Sequence, residues 1–423
     1  MKVLVVSQHY WPESFRINEV VESLQEAGCD VTVLSGQPNY PRGEVFPGYR
    51  AAGWGVERHP AGYDIYRVPL MPRGPGGALR LIGNYVSFVM NASLFGAWQL
   101  RRKRFDVIFV YAVSPILQAI PAILLRTTCR AALVTWVQDL WPQSLEVTGF
   151  VRNRAALSAV ERVVRWIYRH NDLLLAQSEA FVSTVRALSG GTEVVYHPNP
   201  GERAMGKVPA GPAALVLGPG FNVVFAGNLG TVQALETVLD AAEQLRRDST
   251  VQFTLVGDGS RLKWLQDEIA CRDLHNVSLP GRYAPDEMPQ ILAQADALLV
   301  SLVRSPIMEQ TVPSKVQAYL AAGRPVIASM DGEGARVVQA SGAGVACPAE
   351  DAAALAEAIR ALKSASPEAR QAMGDAGRAY YGRHFEPAAL ASQLVARFQA
   401  AVRLRWKGRD SDNRDSEKGN HDN

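Results

Sequence analysis

Only four cysteines occur in 423 residues (Cys29, Cys129, Cys271 and Cys347), and no two are spaced as a pair. That scarcity excludes a disulfide framework and a cysteine-rich metal site, and it reads as four buried thiols of a reducing, cytosolic compartment. An excess of one charge is missing too. There are 44 Lys and Arg against 41 Asp and Glu, a formal net charge of +3, so a nucleic-acid partner has no electrostatic footing. The seven histidines show no ligand spacing, which leaves no legible metal site. The apolar run in MKVLVVSQHYWPE is too short for a signal peptide and reads as a first strand. Residues 81–100, LIGNYVSFVMNASLFGAWQL, lack any charged side chain and run into Arg101-Arg102-Lys103-Arg104. Length and flanking charge permit a membrane span. However, Asn84, Ser87, Asn91, Ser93 and Gln99 are too frequent for a lipid-facing helix, and a strand-like run resumes at Val107. The segment is expected to pack on the N-terminal domain, with its basic end at a bilayer surface.

What the chain does have is enough apolar material for a large core. Hydrophobic residues are 48% and charged residues 20%, and the length suggests two domains. Strand-like runs at 3–6, 31–34, 107–110, 133–137 and 173–176 alternate with helical spacing, as in Ile17, Val20, Val21 and Leu24 before Gly28. A Pro- and Gly-rich stretch over 36–77 interrupts this alternation, and another over about 196–220 reads as a linker. Strand-like runs then return at 223–225, 253–256, 297–301 and 326–327. The pattern predicts an α/β chain with two Rossmann-like domains, 1–205 and 215–386. An amphipathic helix over 387–406 and a polar, disordered tail over 407–423 follow.

In open α/β sheets, ligands sit beyond the carboxyl ends of the strands. The loop after the first strand, SQHYWPESFRIN, lacks G-x-G-x-x-G, which disfavours a nicotinamide dehydrogenase. Arg16 within it reads either as a phosphate contact or as a surface cation. Asp139, after the 133–137 run, is placed to hold or deprotonate a hydroxyl, with helix capping as the competing reading. Gly227-Asn228-Leu229-Gly230 and Gly257-Asp258-Gly259 also follow strands; glycine there admits a ligand to the backbone, although βα turns use it anyway. Arg282, Arg304 and Lys315 bind a diphosphate if they face one site, and are ordinary surface cations otherwise. The richest stretch is TVPSKVQAYLAAGRPVIAS, 311–329. Pro313 and Ser314 start a helix, Lys315 lies just inside it, and Gly323 stops it before a β-branched strand. Open N–H groups, the positive dipole end, Ser314 and Lys315 together make a phosphate seat; a capped helix with a solvated lysine is the alternative. Asp410-Ser411-Asp412 imitates a metal-binding D-x-D but lies in the polar tail and reads as chance.

Five segments, in order, resemble glycosyltransferase family 4. They are VVSQHYWPESFRIN (5–18), VTVLSGQPNYPRG (31–43), VQDLWPQSLEVTG (137–149), FAGNLGTVQALETVLDAA (225–242) and VPSKVQAYLAAGRPVIA (312–328). More narrowly, the chain is similar to bacterial surface-polysaccharide members, including O-antigen N-acetylfucosaminyl-type transferases. The resemblance implies the GT-B fold, with two Rossmann-like domains facing across a cleft and the last helix crossing back to the N-domain. It implies retaining transfer of an N-acetylated or deoxy sugar from a nucleotide-sugar donor, normally UDP-linked. The acceptor would be a lipid-linked saccharide at the cytoplasmic face of the membrane, with the protein peripheral there. No cofactor beyond the UDP-sugar co-substrate and no dedicated metal is implied. Asp139 and Lys315 are the expected catalytic residues. Arg16, Asn228, Arg282, Arg304, Ser314 and Lys315 are expected on the donor, and Asn39, Tyr40 and Arg42 on the acceptor. In such a reaction the leaving diphosphate helps take the acceptor proton, and the protein stabilises the charge developing on it.

The chain also departs from that family. A Glu-x7-Glu pair found in many members falls at Gln310 and Ala318, with Glu309 one residue out of register and Glu333 as a substitute carboxylate. An Arg and a Lys common after the first C-domain strand are replaced by Asn228 and Gln233, and a His-Asp pair reads Gln138-Asp139. Two alternatives are therefore kept. A UDP-sugar 2-epimerase shares the fold but needs paired acid/base carboxylates and histidines that do not assemble here. A catalytically silent nucleotide-sugar- or membrane-binding partner protein is favoured by the lost Glu pair and opposed by Asp139 and Lys315.

Overall fold

Aliphatic and β-branched runs become central strands here because both faces of each are covered, so every residue of a run can be apolar. The computed structural model describes residues 1–74, 77–147, 151, 153–203 and 213–418, with side chains as far as residue 406. The first eight strands are β1 (Lys2–Val6), β2 (Asp30–Ser35), β3 (Gly55–Arg58), β4 (Asp64–Arg67), β5 (Val107–Ala112), β6 (Ala132–Val137), β7 (Leu173–Ala176) and β8 (Val194–Tyr196). They form one sheet in the order β3-β4-β2-β1-β5-β6-β7-β8, parallel except for the β3–β4 pair. Six more form a second, parallel sheet: β9 (Phe221–Ala226), β10 (Val251–Val256), β11 (Val277–Gly281), β12 (Ala297–Ser301), β13 (Val326–Ser329) and β14 (Gly344–Cys347). Their order is β11-β10-β9-β12-β13-β14. Side chains alternate across each sheet, so Leu4 and Val6 join one core layer while Val3 and Val5 join the other.

Chain contacts divide the molecule into Met1–Pro198 together with the chain from Leu390, and Asn199–Ala389. The last helix, Pro387–Lys418, thus begins in the second unit and belongs to the first from Leu390 onward. Its Leu394, Phe398 and Ala401 are buried beside β1, β5 and β6, with the Phe398 ring 5.1 Å from Phe109.

The stretch expected to be irregular over 36–77 contains the β3–β4 hairpin. Its β3 alternates half-buried and exposed residues at the sheet edge, a pattern too weak to announce itself. Segment 78–100 breaks into a helix (Ala78–Asn91), a π turn (Ala92–Gly96) and a short helix (Ala97–Leu100). No helix among the described residues is long and apolar enough to cross a membrane. One expectation about the thiols needs correcting. Cys29, Cys129 and Cys347 are buried, but Cys271 is exposed at the end of the Leu262–Cys271 helix, of which Leu265 is buried and Leu262, Trp264 and Ile269 pack partly against the core. Linker residues 204–212 lie outside the described residues. Of the tail expected to be disordered over 407–423, the last helix takes in the residues up to Lys418, and no side chain beyond residue 406 is described, those of Asp410 and Asp412 included.

Candidate functional site

Strand order in the second sheet reverses at β9, whose neighbours are β10 on one side and β12 on the other. Such a reversal leaves a crevice at the carboxyl ends. A pocket of about 700 Å³ lies there, within the second unit. One wall is the start of the Ser314–Ala322 helix. Its N-cap is Pro313 and no side chain caps it, so first-turn N–H groups are left for a ligand. The helix is fixed by Tyr319, whose hydroxyl accepts from the Ala226 N–H at 2.9 Å at the end of β9.

Lys315 is the electrostatic centre of this pocket. Its ammonium lies 3.8 Å from the centroid of the Phe225 ring and donates to Gln233 Oε1. No carboxylate pairs with it among the described residues, and burial pushes its pKa down to about 7. Two glycines allow the chain to pass beneath it. Gly227 has φ +130°, and a Cβ there would lie 2.7 Å from Lys315 Cε. Gly257 has φ +146°, and its Cβ would run into the Gly227 carbonyl at 1.9 Å. Only glycine satisfies both the conformation and the approach.

Of the residues expected on the donor, Asn228, Arg282, Ser314 and Lys315 line the pocket, as does Gln233. Arg304 and Glu333 do not. Arg304 Nε donates to Asp331 at 2.9 Å and its guanidinium to the Ala349 carbonyl at 3.1 Å. Glu333, nearly buried, accepts from Arg336 through both oxygens at 2.9 and 2.7 Å. Ala318 presents a methyl group to the pocket and Gln310 is absent from its lining, whereas Glu202 and Asp258 supply carboxylates there. Neither acid was singled out in the sequence, because neither sits in the helix that carries the family pattern.

Arg16, also expected on the donor, belongs to the first unit. It opens the Arg16–Glu26 helix and pairs with Glu19 at 3.5 Å. Asp139 follows β6 and accepts from the hydroxyls of Ser114 and Ser144, while Trp141 Nε1 donates to Ser114 at 2.8 Å. A carboxylate oriented in this way keeps a fixed direction. Asn39 is fully buried and braces the loop, with its N–H donated to Glu13 at 2.6 Å and its Oδ1 accepting from the Arg73 N–H at 3.3 Å. Tyr40 and Arg42 are exposed.

Sequence reasoning missed a buried pair after β1. His9 Nδ1 lies 3.0 Å from Glu13 Oε2, and its Nε2 lies 3.2 Å from the Arg73 guanidinium. An arginine can only donate, so Nε2 accepts and the proton sits on Nδ1, directed at Glu13. Arg73 also lies over the rings of Tyr40 and Tyr85, at 5.3 and 5.6 Å. The spacing His9-x3-Glu13 was visible, but Arg73 comes from a distant loop and gives no local signal. Among the described residues, no group of three or more His, Cys, Asp or Glu is placed to hold a metal ion.

Residues 220–364 match the family described as Glycosyl transferases group 1, and residues 14–200 match the Glycosyl transferase 4-like domain. A protein of Escherichia coli (strain K12), WcaI, named as a colanic acid biosynthesis glycosyl transferase, is 28% identical over 343 residues, 76% of this chain and 82% of its own length. Sucrose-phosphate synthase of Thermosynechococcus elongatus superposes with a TM-score of 0.70 at 19% identity, covering 94% of this chain and 98% of that one. Anabaena HepE, solved in complex with UDP, gives 0.65 at 15% identity, covering 95% and 100%. These likenesses show the GT-B fold.

Proposed function

Given that the chain belongs to the group 1 glycosyltransferases, we propose that it moves a sugar from a UDP-linked donor to a lipid-linked saccharide during surface-polysaccharide synthesis. The observation that carries this reading is Lys315, a half-buried, desolvated lysine at a helix start with no carboxylate paired to it among the described residues. Keeping a lysine desolvated and unpaired destabilises the free protein, and an arriving diphosphate relieves that cost. UDP and UDP-glucose occupy the similarly folded HepE, and WcaI is named for colanic acid synthesis; both support a UDP donor and a polysaccharide product.

In this reading the diphosphate lies on the first turn of the Ser314–Ala322 helix, with Lys315, Ser314 and Arg282 around it. The bond from the anomeric carbon to the diphosphate oxygen breaks while the acceptor oxygen bonds to the same face of the sugar. The acceptor proton passes to the departing diphosphate. Lys315 and the helix N–H groups stabilise the charge left on that group. Asp139, steered by Ser114 and Ser144, orients the acceptor hydroxyl, and Tyr40 and Arg42 contact the rest of the acceptor. The sugar is N-acetylated or deoxy, and the protein works as a peripheral protein at the inner face of the cytoplasmic membrane. The test is a binding screen of UDP-, GDP- and dTDP-sugars, followed by product analysis on lipid-linked acceptors. Saturable UDP binding with no turnover of any UDP-sugar would sink the transferase reading in favour of a silent binding protein.

A further inference from the structure

Segment 78–100 carries an apolar stripe that no part of the described protein covers. Ile82, Val86, Met90, Leu94 and Trp98 are exposed, Leu94 at 65%. Asn84, Phe88, Ala92, Gly96 and Leu100, two positions out of step, are buried. Both series step by four. An α-helix turns about 100° per residue, so a plain helix would carry Trp98 about 160° round the axis from Ile82. The π turn at Ala92–Gly96 holds one extra residue and takes back about 100°. The stripe therefore stays within about 80° of arc along the segment, with Trp98 about 60° from Ile82. Trp54, also exposed, extends it sideways, its ring 5.5 Å from Trp98.

Charge says what covers this face. Residues 78–100 contain no acid, and Arg101, Arg102 and Arg104 stand exposed at the end of the stripe. A second pocket, about 540 Å³, opens at that end and is lined by Lys2, Arg58, Arg102, Lys103 and Arg104, with Asp30 and Asp64 as its acids. Asp64 is already taken by Arg58 at 2.8 Å and Lys103 at 3.4 Å. Arg102 and Arg104 have no acidic partner among the described residues. A second copy of the chain laid on the stripe would bring no acid to these arginines from its own residues 78–104, which contain none. An anionic surface with an apolar interior is the complement.

We propose that this face docks in the plane of a bilayer containing anionic phospholipid. The five stripe residues and Trp54 enter the acyl boundary, and a lipid phosphate enters the pocket beside Arg102 and Arg104. The inference rests on the lipid-linked-acceptor reading and adds the surface that meets the membrane.

The test is cosedimentation of the full chain with phosphatidylglycerol/phosphatidylcholine vesicles and with phosphatidylcholine alone. Preference for the anionic vesicles is expected, weakening with salt. Met90→Glu with Leu94→Glu should lower partitioning at least about tenfold, and Arg102→Glu with Arg104→Glu should abolish the anionic preference. Both pairs are exposed, and a UDP titration of each checks that the fold is intact. Wild-type protein that ignores anionic vesicles overturns the proposal, as does binding unchanged by both pairs. So does a dimer in sedimentation velocity that Leu94→Glu dissociates. Vesicle binding without any UDP binding upholds the surface and counts only against the donor reading.

Discussion

Beyond the strand ends of the first unit, Glu13 accepts from His9 and from the backbone N–H groups of Tyr10, Asn39 and Tyr40, and Asp139 accepts from two serines. Beyond those of the second unit, Lys315 has an amide oxygen and a ring face but no counter-charge among the described residues. The two sheets share the order of six parallel strands, β4-β2-β1-β5-β6-β7 in the first, and differ in what surrounds the charges beyond their ends. A satisfied carboxylate is rigid and suits the orientation of a neutral hydroxyl. A half-buried lysine without a counter-charge suits the capture of an anion.

The contrast breaks first at Lys315. Lys315→Ala should weaken UDP binding at least about 100-fold, the range seen when one partner of a desolvated charge contact is removed. An unchanged dissociation constant in calorimetry would reduce the lysine to a structural residue. Asp139→Asn should next lower the transfer rate by about 100-fold, the scale of losing the orientation of a reacting group, and change UDP affinity little. Equal losses in both measurements would take Asp139 off the acceptor side.

A smaller effect comes with pH. Lys315 titrates near 7 in the free protein, and a bound diphosphate favours its charged form. Above that pH the amine must take up a proton to bind. UDP affinity should therefore fall with rising pH between about 7 and 9, by up to about tenfold per unit. Lys315→Ala should flatten that slope; a wild-type profile already flat in this window would contradict a depressed lysine. The smallest change is expected at Arg304→Ala, under about threefold in UDP affinity, because its guanidinium is engaged with Asp331 and Ala349 in a solvent-exposed pair. A larger loss would mean that Arg304 swings to the ligand.

How much of this was legible depends on range. Strands 107–110 and 133–137 announced themselves because buried parallel strands are continuous apolar runs, while β3 did not because its edge position makes it half polar. The Ser314–Ala322 helix was legible from Pro313 to Gly323, since start and stop signals are local. Glu333 illustrates the opposite case. The sequence offers it as a substitute carboxylate, yet Arg336, one helical turn on, holds it.

By itself the sequence determined the alternation of strands and helices, the family, and the helix start that bears Ser314 and Lys315. Those follow from residue type and spacing along the chain. Tertiary structure decided which charges are free. Arg282, Arg304 and Lys315 are all loop or helix-start cations in the sequence, but only folding put an acid beside Arg304, stripped water from Lys315 and set Phe225 and Gly227 against it. Desolvation depends on neighbours brought in from distant segments, and spacing along the chain does not encode it.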